Sequence, residues 1–178
     1  MNNKKLYLDK DFESIYWHDS ILNTIIFDQT EFCDFNLLID FVLESHPPKN
    51  PQNENDYVLI MQPAIVKFLF ATDVKINLKW EDVIINPTFA FIERKKAEFK
   101  DKIKNKSFYK YIIEFNGSNE GNIVLDNVPN FEMQLFGDPI LYISSEDYIE
   151  KRNKILKDNF DLIWKNRAHL HASGSLSI

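Results

Sequence analysis

The stretch DFNLLIDFVLE, residues 34–44, decides the fold. Phe35, Leu37, Ile39, Phe41 and Leu43 fall on one side of an extended chain and Asn36, Asp40 and Glu44 on the other, the period of two that a half-buried strand requires. Working outward, ILNTIIFD (21–28) precedes it across QTEFC, a connection of hairpin length. On the other side SHPPKNPQNENDY breaks the rhythm. Its closely spaced prolines remove ladder donors and its asparagines favour turns, so residues 45–56 read as a surface loop.

Strands resume with YVLIM (57–61), IVKFLF (65–70) and VKINLKW (74–80), where Val74, Ile76, Leu78 and Trp80 oppose Lys75, Asn77 and Lys79. In FYKYIIEF (108–115), Tyr109, Tyr111, Ile113 and Phe115 share a face, and the following FNGSNEGN supplies turn residues. NIVLD, FEMQLF and PILYI then follow at short spacing. Such closeness excludes crossover helices and predicts an antiparallel meander.

Two segments depart from this period. FIERKKAEFKDKIKNK, residues 91–106, sets Ile92, Phe99 and Ile103 near helical spacing among many lysines, and reads equally as a short helix or a basic loop. Farther on, Ser145 is placed to cap a helix with Glu146 and Asp147 in its first turn. Tyr148, Arg152, Ile155, Leu156, Phe160, Ile163 and Trp164 follow on one face. The expectation is an α+β domain over residues 1–178, mostly antiparallel sheet with hairpins and a meander, and a C-terminal helix packed on it. Its core runs from about residue 6 to 167, and residues 168–178 form a frayed tail.

Length and composition agree with one self-folding unit. The 178 residues suffice for a single core, and an aromatic fraction of 14%, with 15 Phe, excludes a disordered chain. MNNKKLYLDKDF lacks the apolar stretch of a secretory signal, and no run is long enough to span a bilayer, so a cytoplasmic protein with no membrane contact is expected. The single Cys33, between apolar residues in FCDF, reads as a small buried hydrophobe. The formal net charge of −6 is uneven: residues 1–60 hold 11 acidic against 4 basic groups, residues 61–110 hold 6 against 11, and residues 111–178 hold 10 against 6. An acidic surface opposes a phosphate backbone, so no nucleic-acid partner is expected, and it suits a basic protein.

The motif with most chemical content is YWHDSIL, residues 16–22, which sets His18, Asp19 and Ser20 side by side. In an extended chain His18 and Asp19 point to opposite faces, so a hydrogen-bonded pair is not expected, and Ser20 has no flanking glycine of the kind a nucleophile elbow uses. Trp17, His18, Asp19 and Ser20 instead read as a structural or binding motif at the head of the first long strand. Trp17 would anchor the core and the polar trio would satisfy backbone groups. His18, His46, His169 and His171 show no metal-ligand spacing, and no glycine-rich phosphate loop is present, so neither a metal nor a cofactor is expected. The basic residues 93–110 offer a phosphate-binding face at most, and more simply a solvated segment.

The order of WHDS, strands like NTIIF and NLLIDF, a loop, PAIVKFLFATDVKINL and a closing FEMQLFGDPILYIS before a helix resembles small bacterial families, over roughly residues 15–150. Several of these look like immunity proteins of polymorphic toxin systems. The resemblance implies an α+β protein that neutralises a toxin by binding it, and it brings no catalytic residues. The expectation is therefore a non-catalytic protein-binding domain whose partner is a basic toxin. A hydrolase-like enzyme using His18 and Asp19, and a small-ligand module using the Pro-Asn loop, stand as alternatives.

Overall fold

The computed structural model describes residues 5–28, 34–46, 58–71, 73–79, 86–97, 107–116, 121–164, 167–171 and 176–177, with side chains omitted at residue 28 and from 167 onward. Cys33, Trp80, most of the Pro-Asn loop and residues 98–106 lie outside these. The elements are β1 (Leu6–Leu8), a 3-10 helix (Asp9–Ser14), β2 (Ile21–Asp28), β3 (Phe35–His46), β4 (Val58–Leu69), β5 (Asp73–Leu78), β6 (Thr88–Lys96), β7 (Tyr109–Asn116), β8 (Gly121–Val128), β9 (Asn130–Leu135), β10 (Ile140–Tyr142), α1 (Ser145–Asp158), α2 (Phe160–Trp164), β11 (Arg167–His171) and β12 (Leu176–Ser177). All strand pairs are antiparallel, in the order β1, β9, β4, β3, β2, β6, β7, β8, β5.

One seam shapes the whole. β2 and β6 share a single residue pair, Ile21 with Thr88, and at this point the sheet turns back over itself. The two halves face each other across one core, in which the ring of Phe68 on β4 lies 4.9 Å from that of Tyr111 on β7. Phe12, delivered by the 3-10 helix, meets Tyr111 and Phe131 edge-on at 5.3 and 5.1 Å, geometries that aromatic pairs favour.

The opposite face of β2, β3 and β4 is not left to water. Ile26, Leu38, Ile65 and Phe136 are buried beneath Ile155, Leu156, Ile163 and Trp164 of the two helices. The even-numbered face of β3, which the sequence pattern assigns to solvent, is therefore covered, and Asn36 and Asp40 are buried with it. Gly137 makes this approach possible. Its φ of +65° is left-handed, and a Cβ there would meet Ile155 Cδ1 at 2.7 Å.

Several expectations change. YVLIM and IVKFLF are one strand, β4, which pairs β10 through Leu59–Met61 and β9 through Ala64–Leu69. Pro63, which lacks a donor, falls between the two partners. The meander holds for β6, β7 and β8 but ends there: β9 leaves them to join β4 and β1, and β10 joins β4. Residues 91–96 are neither helix nor loop but the end of β6. A bulge between Phe89 and Phe91 separates the buried Phe89 and Ile92 by three positions, which imitates helical spacing.

β5 is a sheet edge and leaves Ile76 exposed, rather than presenting a full core face. Ser144, one residue before the expected cap, accepts from Asp147 N at 3.3 Å, and the helix breaks at Asn159. The expected tail contains β11, which pairs β2, and β12, which pairs β11. No described helix is long and apolar enough to cross a membrane.

Candidate functional site

The YWHDSIL segment lies at the seam. Ile15 and Trp17 are buried and Tyr16 is 68% exposed, an alternation that ends when the chain turns at His18 and Asp19. Trp17 fills the core among Phe12, Phe41 and Phe131, at ring distances of 5.8, 6.1 and 5.9 Å. Asp19 N donates to Phe89 O, Phe89 N to Ser20 O and Leu22 N to Pro87 O, at 3.1, 2.8 and 2.9 Å. The motif thus joins β2 to β6 where the ladder itself contributes one pair.

Strand geometry does not hold at its centre. Asp19 has a φ of 66°, a left-handed conformation that aspartate tolerates better than most residues. This turn brings the Asp19 carboxylate to 2.8 Å from His18 Nδ1, so the two side chains meet rather than diverge. The contact lacks hydrogen-bond alignment, and both side chains are half-exposed. Ser20 is fully buried, and its hydroxyl accepts from Val42 N at 3.2 Å, beside the bulge between Val42 and Glu44. The three polar residues therefore form no triad: the serine serves the backbone of β3 while His18 and Asp19 face outward.

Around the motif the surface is aromatic and acidic. Tyr16 and Ile15 border two hollows. One, of about 180 Å³, is lined also by Phe41 and Glu44; the other, of about 320 Å³, by Glu13, His18 and Phe91. The Tyr16 and His18 rings lie 6.0 Å apart, and Phe91 is 48% exposed.

Behind this surface Arg94 is held by Glu13 Oε1 at 2.9 Å and Asp9 Oδ1 at 3.1 Å. Its guanidinium lies 4.7 Å from the ring centre of Phe12 and 4.6 Å from that of Tyr109. Arg94 is thus committed to its own chain. The buried Tyr111 phenol beneath it is pushed well above the usual tyrosine range by burial and by the Asp9 carboxylate.

A second polar cluster, which the sequence reading does not single out, lies between α1 and the strands. Arg152 Nη1 donates to Asp40 Oδ2 at 2.9 Å and to Asn23 Oδ1 at 3.0 Å, and Asn86 Nδ2 donates to the same Asn23 oxygen at 3.1 Å. Asn23 is the extra residue of a bulge in β2, between Leu22 and Thr24. The pairing had a faint signal: Asp40 interrupts an apolar run, and Arg152 stands on the apolar side of the helix.

No group of three or more His, Cys, Asp or Glu side chains is arranged to hold a metal among the described residues. His46 pairs with Glu44 at 3.1 Å, and the side chains of His169 and His171 lie outside the described residues. Comparison with protein-family models, curated proteins and solved structures gives no significant match.

Proposed function

We propose that the chain is a non-catalytic binding domain that occludes a basic partner protein, as an immunity protein does its toxin. The observation that carries this reading is the Tyr16 ridge. An exposed tyrosine between two hollows has the form of an interface hot spot, where rigid aromatic side chains contribute large contact area at little entropic cost. Glu44 lines one hollow with Tyr16, and with the acidic balance of residues 1–60 it suits a cationic partner, whose charge would compete with Arg94 for Glu13 at the other hollow; complementary charge speeds encounter. The resemblance of the WHDS-containing strand plan to toxin-immunity families supports the same reading.

Titration calorimetry against the toxin-like product of an adjacent gene tests it. A micromolar or tighter complex is expected, weakened by at least about thirtyfold in Tyr16→Ala, on the scale of an interface hot spot. The reading fails if no complex forms at that concentration.

A hydrolytic reading draws on the His18–Asp19 contact and its open setting. Against it, the Ser20 hydroxyl is buried and engaged with Val42 N. Retained ester hydrolysis in Ser20→Ala, and its loss in His18→Ala, would be needed to sustain a water-activating variant of that reading.

A further inference from the structure

β5 ends the strand order, and among the described residues its strand partner is β8 alone, through Asp73 to Leu78. The other edge of β5 is thus a template on which a further strand can pair. Two features of the strand call for such a neighbour. Ile76 lies on the side that packs against the core, between Val74 and Leu78, yet it is exposed. Asp73 stands directly opposite Asp126 of β8, a like-charge pair that weakens a sheet. Lys110 approaches Asp126 at 3.7 Å, whereas among the described residues Asp73 meets a cation, Lys75, only at 3.9 Å.

The strand carries its own complement. An antiparallel copy aligned on Ile76 sets Asp73 against Lys79, Val74 against Leu78, Lys75 against Asn77 and Ile76 against itself. Paired residues share a face, so the apolar side chains extend the core side of the sheet and the charged ones its outer side. Lys79 of the copy then supplies the cation that Asp73 lacks, and the carboxylates of Asp73 and Asp126 are flanked by a lysine on each side. Neighbouring registers fail. A slip of one residue places Lys75 opposite Ile76 or Leu78 and mixes the faces, and a slip of two places it opposite Lys75 or Lys79. The lysines that guard this edge exclude those registers and leave the one centred on Ile76.

We propose that β5 pairs with β5 of a second copy of the chain, antiparallel and aligned on Ile76, to form a two-fold dimer. The axis passes through the Ile76 pair, so the same surface serves both copies and the contact closes without recruiting a third. One short strand from each copy makes a small interface, of the size found in weak, reversible complexes. β5 is separated from β6 and the hollow at Phe91 by β7 and β8. The dimer is independent of the Tyr16 surface, and either reading survives failure of the other.

Analytical ultracentrifugation of the full chain, from micromolar to millimolar concentration, is the test. A reversible equilibrium between monomer and dimer is expected, with no larger species. Asp73→Lys and Lys79→Asp each turn two ion pairs of the dimer into two like-charge pairs, so each alone is expected to weaken it at least about tenfold. Both positions are exposed, and Asp73→Lys also removes the opposition to Asp126, so the fold is retained. An equimolar mixture of the two variants restores every opposite-charge pair and is expected to dimerise like the original chain, as is the Asp73→Lys, Lys79→Asp double variant. The inference is overturned if the chain stays monomeric throughout, or if association continues beyond the dimer. It is likewise overturned if either single reversal dimerises unchanged, or if the mixture and the double variant stay as weak as the single ones.

Discussion

Asp40 on β3 and Arg152 on α1 meet at 2.9 Å with side chains 3% and 18% exposed, an ion pair enclosed between sheet and helix. Removing one partner strands the other charge in a poorly solvated place. Asp40→Ala is expected to cost about 3–5 kcal/mol in urea unfolding, whereas Asp40→Leu combined with Arg152→Met costs much less than two such losses. The coupling, measured by a double-mutant cycle, distinguishes a structural pair from two independent surface charges.

Ser20 tests the motif at the seam. Ser20→Ala leaves Val42 N without its acceptor in a buried position and is expected to destabilise by roughly 1–3 kcal/mol, measured by thermal or urea unfolding. Binding at the Tyr16 surface is expected to persist in the folded fraction, because the hydroxyl points into the sheet.

Gly137 carries two constraints at once. Gly137→Ala is expected to destabilise by about 1–2 kcal/mol from its left-handed backbone alone, with a further loss from the contact with Ile155. Placing it in an Ile155→Ala background relieves the contact and leaves the backbone strain, so the two changes are less than additive in unfolding measurements.

Tyr111 and Tyr148 set an alkaline limit. Burial, together with Asp9 near the first and Asp40 near the second, raises both phenols above the ordinary value of 10.0. Their folded forms hold protons that the unfolded chain releases. The contribution is complete below about pH 10 and lost as pH rises beyond it, roughly a tenfold fall in the folded-to-unfolded ratio per pH unit for each phenol. Stability measured from pH 8 to 11 is expected to fall less steeply in the Tyr111→Phe, Tyr148→Phe protein.

What the chain reveals by pattern depends on how many faces an element buries. β7, wet on one side, shows Tyr111, Ile113 and Phe115 plainly, and β3 shows Phe35 through Phe41. The second burial of β3 was hidden, because Asn36 and Asp40 look like solvated residues until α1 supplies Arg152. Bulges defeat the period directly: the extra residue between Phe89 and Phe91 breaks the alternation of β6, while the spacing of Ile92, Phe99 and Ile103 among the lysines suggests a helix or loop. The same irregularity in β2 carries Asn23 to the polar cluster, and the turn at Asp19 brings His18 to a carboxylate that strand alternation would have turned away. Long-range partners were illegible for a simpler reason. Alternation identifies a strand's faces but says nothing of its neighbour along the edge, so the insertion of β9 between β1 and β4 had no local sign.

That insertion governs the order in which the molecule can be completed. Leu6–Leu8 and Ala64–Leu69 both wait for Asn130–Leu135, so a chain growing on the ribosome holds one of its most apolar strands with an open edge until residues 130–135 have been made. A chain truncated before residue 130 would leave that edge bare, and only the corresponding segment of a full-length copy could cover it, the exchange by which proteins swap domains.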